Sequence, residues 1–180
     1  MGSIPIKPPH SDVLYLTSLY YYPPAVVAVL KDSSFTAINE LSGKTICVGS
    51  ATTYEDWLNG VLEVAAEDIY VPPPINVTLI TLSTDQACAQ ELAAGREDFV
   101  AYVTSKTVLD SNIADGFPVK QLGEPIFIDS YSIALDKNSN LDPSSLFTEV
   151  NNIVKNMLAD GQLAALSQKW FGSDLTKHIN

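Results

Sequence analysis

Thr45-Ile46-Cys47-Val48-Gly49-Ser50-Ala51-Thr52-Thr53-Tyr54-Glu55 is the stretch that decides the fold. Thr45 to Gly49 is an apolar, β-branched run of strand length, and it passes directly into a hydroxyl-rich loop. After the loop, Tyr54, Trp57, Leu58, Val61, Leu62 and Ala65 fall at the i, i+3, i+4 spacing of one helix face. A strand, a loop and an amphipathic helix in that order make a repeating α/β unit.

The unit recurs on the C-terminal side. Val77 to Leu82 reads as a strand, and Ser83 with Gln86 fits a capping box. Cys88, Ala89 and Leu92 share one helical stripe, and Gly95 stands where a left-handed cap belongs. Asp98 to Val103 predicts another strand, Thr104 to Asp110 a helix, and Val119 to Leu122 and Tyr131 to Leu135 further strands. On the N-terminal side, Val26 to Leu30 is a buried strand opened by Pro23-Pro24. Strands alternating with helices predict an α/β fold with an open, mainly parallel sheet covered by helices on both faces.

The last third is helical. Asp142-Pro143 is an N-cap followed by a proline, and Leu146, Val150, Ile153, Val154, Met157 and Leu158 form an apolar stripe ending at Gly161. Leu163, Leu166, Trp170 and Phe171 mark a shorter helix. Trp57 and Trp170 are both expected as core anchors. Residues 1–12, with the Pro-rich stretch Ile4 to Pro9, read as a tag, linker or tail.

Composition narrows the function. Ten basic against twenty-one acidic side chains in 180 residues give a net charge of -11, which repels phosphate backbones, so nucleic acid is not an expected partner. No apolar run is long enough to span a bilayer, and no secretory signal opens the chain. His10 and His178 lie near the termini, the two cysteines are far apart, and there is no glycine-rich phosphate loop or nucleophile elbow. Neither a metal, a cofactor nor a catalytic set is expected.

The candidate site is the loop Ser50 to Glu55. A strand end feeding a helix start offers backbone N–H groups and partial positive charge, and the hydroxyls of Ser50, Thr52 and Thr53 add donors suited to a carboxylate. The alternative reading is a plain helix cap, since Thr52 with Glu55 also fits a capping box. Tyr20, Tyr21 and Tyr22 beside Pro23-Pro24 could stack on a ligand or pack a hinge.

Several segments, in order, resemble the amino-acid-binding family of ABC-transporter solute-binding proteins, the type II periplasmic binding proteins. Thr17 to Tyr21 resembles its "FS-x-PYY" element, Glu40 to Val48 its "DL-x-GK-x-V-x-V", and Ala51 to Glu55 its "GTT-x-E". Glu91 to Asp98 resembles "AL-x-AGR-x-D", Tyr131 to Lys137 "YGIAV-x-K", Asp160-Gly161 the "DG" between the last helices, and Lys169 to Gly172 the closing "KWFG".

The resemblance implies that a small polar solute, an amino acid or analogue, is bound for import by an ABC permease, with Thr52 and Thr53 holding its α-carboxylate. It implies a second lobe over 24–135, a partial first lobe over 13–23 and 136–180, and a truncated N-terminal half that carries the family's carboxylate-clamping arginine. The uncovered first-lobe helices are then expected to favour self-association, and ligand affinity is expected to be low. A family aspartate that pairs with the ligand's amino group corresponds to Val103, so Thr104, Ser105 or another ligand chemistry must substitute. The implied location is periplasmic or extracellular, secreted or lipid-anchored in the parent, where a Cys47–Cys88 disulfide is permitted. A dehydratase-like enzyme on this scaffold and the sensing module of a receptor are the alternatives.

Overall fold

The computed structural model describes residues 2–5, 10–63 and 71–178, with backbone only at 2–5. The chain divides into two units, one formed by residues 1–23 with 129–180 and the other by Pro24–Ile128.

The Pro24–Ile128 unit is built on a five-stranded sheet. Its strands are β3 (Pro24–Leu30), β4 (Thr45–Gly49), β5 (Thr78–Leu82), β6 (Ala101–Ser105) and β7 (Val119–Ile128), in the order β5-β4-β6-β3-β7. β4 pairs parallel with β5 and β6, whereas β3 is antiparallel to β6 and β7. β3 alone therefore opposes the other four strands. The open, mainly parallel α/β sheet is the expected one.

Helices α2 (Thr53–Leu58), α3 (Asp85–Ala93) and α4 (Lys106–Ala114) cover it. Pleating sends alternate side chains to opposite faces. Val27, Val29, Ile46, Val48, Ala101 and Val103 pack with Tyr54, Trp57 and Leu58 of α2. Val26, Ala28, Cys47 and Tyr102 pack on the other side with Cys88, Ala89 and Leu92 of α3 and Leu109 of α4. The Trp57 indole is buried and donates to the Val71 carbonyl at 3.1 Å.

Three local expectations shift. α2 stops at Leu58 because Gly60 adopts φ +70°, so Val61 is exposed instead of continuing the stripe; Ala65 lies outside the described residues. Thr84, not Ser83, caps α3, accepting from Ala87 N at 3.1 Å. β6 begins and ends later than the sequence pattern suggested, with consequences for the site below.

The other unit has a three-stranded antiparallel sheet in the order β1-β8-β2, from β1 (Gly2–Pro5), β2 (Leu14–Leu16) and β8 (Tyr131–Asp136). A short α1 (His10–Val13) precedes β2. Residues 1–12 are thus not wholly a linker. Backbone pairing to β8 needs no alternation of side chains, so composition could not reveal β1; residues 6–9 of the Pro-rich stretch lie outside the described set. β8 itself, read from sequence as the last strand of a 24–135 lobe, belongs to this sheet, because its partners β1 and β2 come from the N-terminal segment.

Helices α5 (Ser144–Ala159) and α6 (Gln162–Phe171) complete this unit. Asp142 accepts from Ser144 N at 2.9 Å at the start of α5, and Gly161 makes the left-handed turn between the helices at φ +80°. The Tyr15 and Phe147 rings stack at 5.0 Å. Of the predicted α5 stripe only Val154 is buried, while Leu146 and Ile153 are exposed. Trp170 is 70% exposed with the Lys169 ammonium over its ring, so it is not the core anchor expected. Ser167 is the buried residue of α6, and its hydroxyl accepts from Leu175 N at 2.8 Å.

Candidate functional site

Because β4, β5 and β6 are parallel, their carboxyl ends meet at one edge of the sheet, at Gly49, Leu82 and Ser105. Each runs into a helix capped by a hydroxyl residue. Thr52 accepts from Glu55 N at 3.2 Å, Thr84 from Ala87 N at 3.1 Å, and Ser105 from Val108 N at 3.3 Å. Three helix starts, each with partial positive charge, therefore share the edge at which open α/β sheets bind ligands.

The loops are held tightly against each other. Ser50 N donates to Leu82 O at 2.8 Å, joining the β4 and β5 ends. A Cβ on Gly49 would stand 2.8 Å from Asp85 N and 3.2 Å from Thr52 Cγ2, so only glycine permits this approach. Ala51 adopts φ +59° where the resembling motif has glycine, and its N–H donates to Glu55 Oε2 at 2.8 Å. Thr52 Oγ1 donates to Gly49 O at 2.8 Å while accepting from Glu55 N. The cap reading of Thr52 and Glu55 thus describes the loop's own bonding. With the Thr52 hydroxyl hydrogen committed and Thr53 buried, the loop's offer to a carboxylate is its helix-start dipole and the exposed Ser50.

Val103 does not stand at the strand end. It is fully buried between β3 and α2 residues, and β6 continues two residues further to Ser105. The strand-end position is Ser105, whose hydroxyl lies 3.1 Å from Thr107 Oγ1. Val103 is therefore withdrawn as a site residue. Thr104 is fully buried and donates to Asp85 Oδ2.

Asp85, the first residue of α3, was not singled out from sequence. The pattern Ser83-Thr84-Asp85 after a strand could have flagged it once the cap was assigned to Thr84 and not Ser83. Two residues before Thr104 on the same side of β6, burial pushes the Tyr102 phenol up, the nearby Asn112 amide opposes this without reaching hydrogen-bond geometry, and the Asp85 charge adds to the rise.

Cys47 on β4 and Cys88 on α3 are joined by a disulfide with a Cα–Cα distance of 5.7 Å. It ties the site-bearing strand to the helix that begins at Asp85. Tyr20 and Tyr21 belong to the other unit, where Tyr21 lies 5.7 Å from the Tyr131 ring and 5.4 Å from Phe171. Two concavities of the Pro24–Ile128 unit lie elsewhere. One of about 390 Å³ among Leu30, Phe35, Leu92 and Phe99 opens at the opposite sheet edge, and one of about 640 Å³ borders Ile38, Val71 and Pro72 to Pro74. Neither gathers the capping hydroxyls. No group of metal-binding side chains occurs among the described residues, and no described helix is long and apolar enough to cross a membrane.

Known proteins supply the wider setting. The chain is 27% identical over 177 residues to "Probable amino-acid-binding protein YxeM" of Bacillus subtilis (strain 168), covering 97% of this chain and 62% of that protein. It is 29% identical over 153 residues to the L-cystine-binding protein TcyJ of Escherichia coli (strain K12), covering 85% and 51%. The chain thus spans between about half and 62% of the length of these relatives. Among solved structures, the substrate binding protein of an amino acid ABC transporter superposes with a TM-score of 0.74 at 24% identity, covering 94% of this chain and 69% of that one. An ancestral arginine-binding protein bound to arginine gives 0.73 at 24%, with the same coverage. Both share the fold. The model of the bacterial extracellular solute-binding proteins, family 3, matches residues 1–173, and it is to this family of binding proteins, not enzymes, that the chain belongs.

Proposed function

We propose that this protein binds a small polar solute of the amino-acid type outside the cytoplasm and supplies it to an ABC permease. The observation that carries the reading is the convergence of three hydroxyl-capped helix starts at the carboxyl edge of β4, β5 and β6. Such an edge favours a carboxylate through aligned backbone dipoles. The Ser50 to Thr53 loop takes the carboxylate, and Thr104 and Ser105 line the neighbouring strand end. The relatives' printed names, an amino-acid-binding and an L-cystine-binding protein, agree with this class. The exposed apolar residues of α5 and α6 are proposed as a surface for self-association.

Titration calorimetry with a panel of L-amino acids, sugars and inorganic anions tests the reading. Saturable heats are expected for amino acids alone, weakened by Ser50→Ala. Binding confined to sugars or inorganic phosphate would overturn it.

A further inference from the structure

The hydroxyls and helix starts of this edge suit a carboxylate, but an amino acid also carries a protonated amine, and a cation needs an acid. Val103 is in the core and supplies none. On the three loops the acids are Glu55, Asp56 and Asp85. Glu55 is consumed by Ala51 N at 2.8 Å, and Asp56 lies a turn into α2.

Asp85 differs from both. It is half-buried at the first position of α3, and its Oδ2 accepts the Thr104 hydroxyl, while no hydrogen bond among the described residues reaches Oδ1. Two features keep it in place. The absence of a side chain at Gly49 lets Asp85 N sit against the β4 end, and the Cys47–Cys88 disulfide ties α3 to the same strand. Behind it, β6 turns two polar side chains, Tyr102 and Thr104, into a cluster that is otherwise apolar. The Tyr102 hydroxyl is fully buried and lacks a hydrogen-bond partner among the described residues. Buried polar groups are costly unless hydrogen-bonded, and Thr104 meets that need at the Asp85 carboxylate.

We propose that Asp85, positioned by Thr104, is the residue that receives a protonated amine of the ligand, in the role that a strand-end aspartate at Val103 would have filled. The assignment rests on the amino-acid reading above. Oδ2 is held from within the protein and Oδ1 accepts the ammonium, so the ligand's two charged ends meet oppositely charged parts of one sheet edge. The amine is either the α-amino group or one on the side chain.

The test is calorimetric titration of the wild-type chain, Asp85→Asn, Thr104→Val and the surface control Asp115→Asn, with folding verified by circular dichroism. Two ligand pairs separate the amines: alanine against lactate for the α-amino group, and lysine against norleucine for the side chain. Asp85→Asn is expected to weaken the amine-bearing member of one pair by about 10- to 100-fold and leave its amine-free partner unchanged. Thr104→Val should give a smaller loss with the same selectivity, and Asp115→Asn none. If Asp85→Asn weakens all ligands equally, or none, Asp85 is not the amine receptor and the amino-acid reading stands. If no amino acid binds the wild-type chain, that reading falls and this assignment with it.

Discussion

Gly49 and Asp85 are in backbone contact: the position of a Cβ on Gly49 lies 2.8 Å from the Asp85 nitrogen. The obstacle is main chain at a helix start and cannot rotate away. Gly49→Ala is therefore expected to lower unfolding free energy by about 1–3 kcal/mol. Urea denaturation followed by tryptophan fluorescence measures this, and an unchanged midpoint would mean that the loops part easily.

Ala51 shows the opposite case. At φ +59° its methyl group is in the left-handed region, which costs roughly 1–2 kcal/mol for a residue with a Cβ. Ala51→Gly relieves that strain but adds freedom to the unfolded chain, worth about 0.4–1 kcal/mol against it. A net gain of about 0 to 1.6 kcal/mol is expected. Thermal unfolding should register it as a higher Tm.

The Cys47–Cys88 bond closes a separation of 41 residues. Loop-closure entropy of that size corresponds to about 4 kcal/mol, chiefly through restriction of the unfolded chain. Both sulfur-bearing residues are fully buried, so reductant should act on the native protein slowly. The double variant Cys47→Ala, Cys88→Ala should unfold at markedly lower urea than the oxidised protein. A thiol assay in denaturant without reductant should find no free sulfhydryl.

Leu146, Ile153, Leu166, Trp170 and Phe171 leave α5 and α6 with exposed apolar side chains. Concentration-dependent sedimentation is expected, and Ile153→Lys with Trp170→Lys should reduce it. A monomer at every concentration in the unsubstituted protein would remove the self-association proposal.

The α/β class and the family were legible because they rest on local pattern. The β-branched run Thr45–Gly49 is a strand with those bounds, and Gly95 and Gly161 turn where the pattern requires. What sequence missed is set by partners distant in the chain. β6 runs on to Ser105 because β3 offers Ala25 and Val26 as ladder partners for Ser105 and Thr104, and this moves Val103 into the core. β8 joins β1 and β2 through pairing that no periodicity announces. Asp85 was obscured for a related reason: its importance comes from Thr104, nineteen residues on and fully buried.

Pro24 and Ile128, the first and last residues of the five-stranded unit, are directly opposite one another in the β3–β7 ladder. Entry and exit therefore share a doorway about one strand spacing wide, near 5 Å. A segment with such adjacent ends is portable. It can be spliced into a surface loop of an unrelated host, or its ends can be linked and the chain reopened elsewhere, without stretching its own backbone.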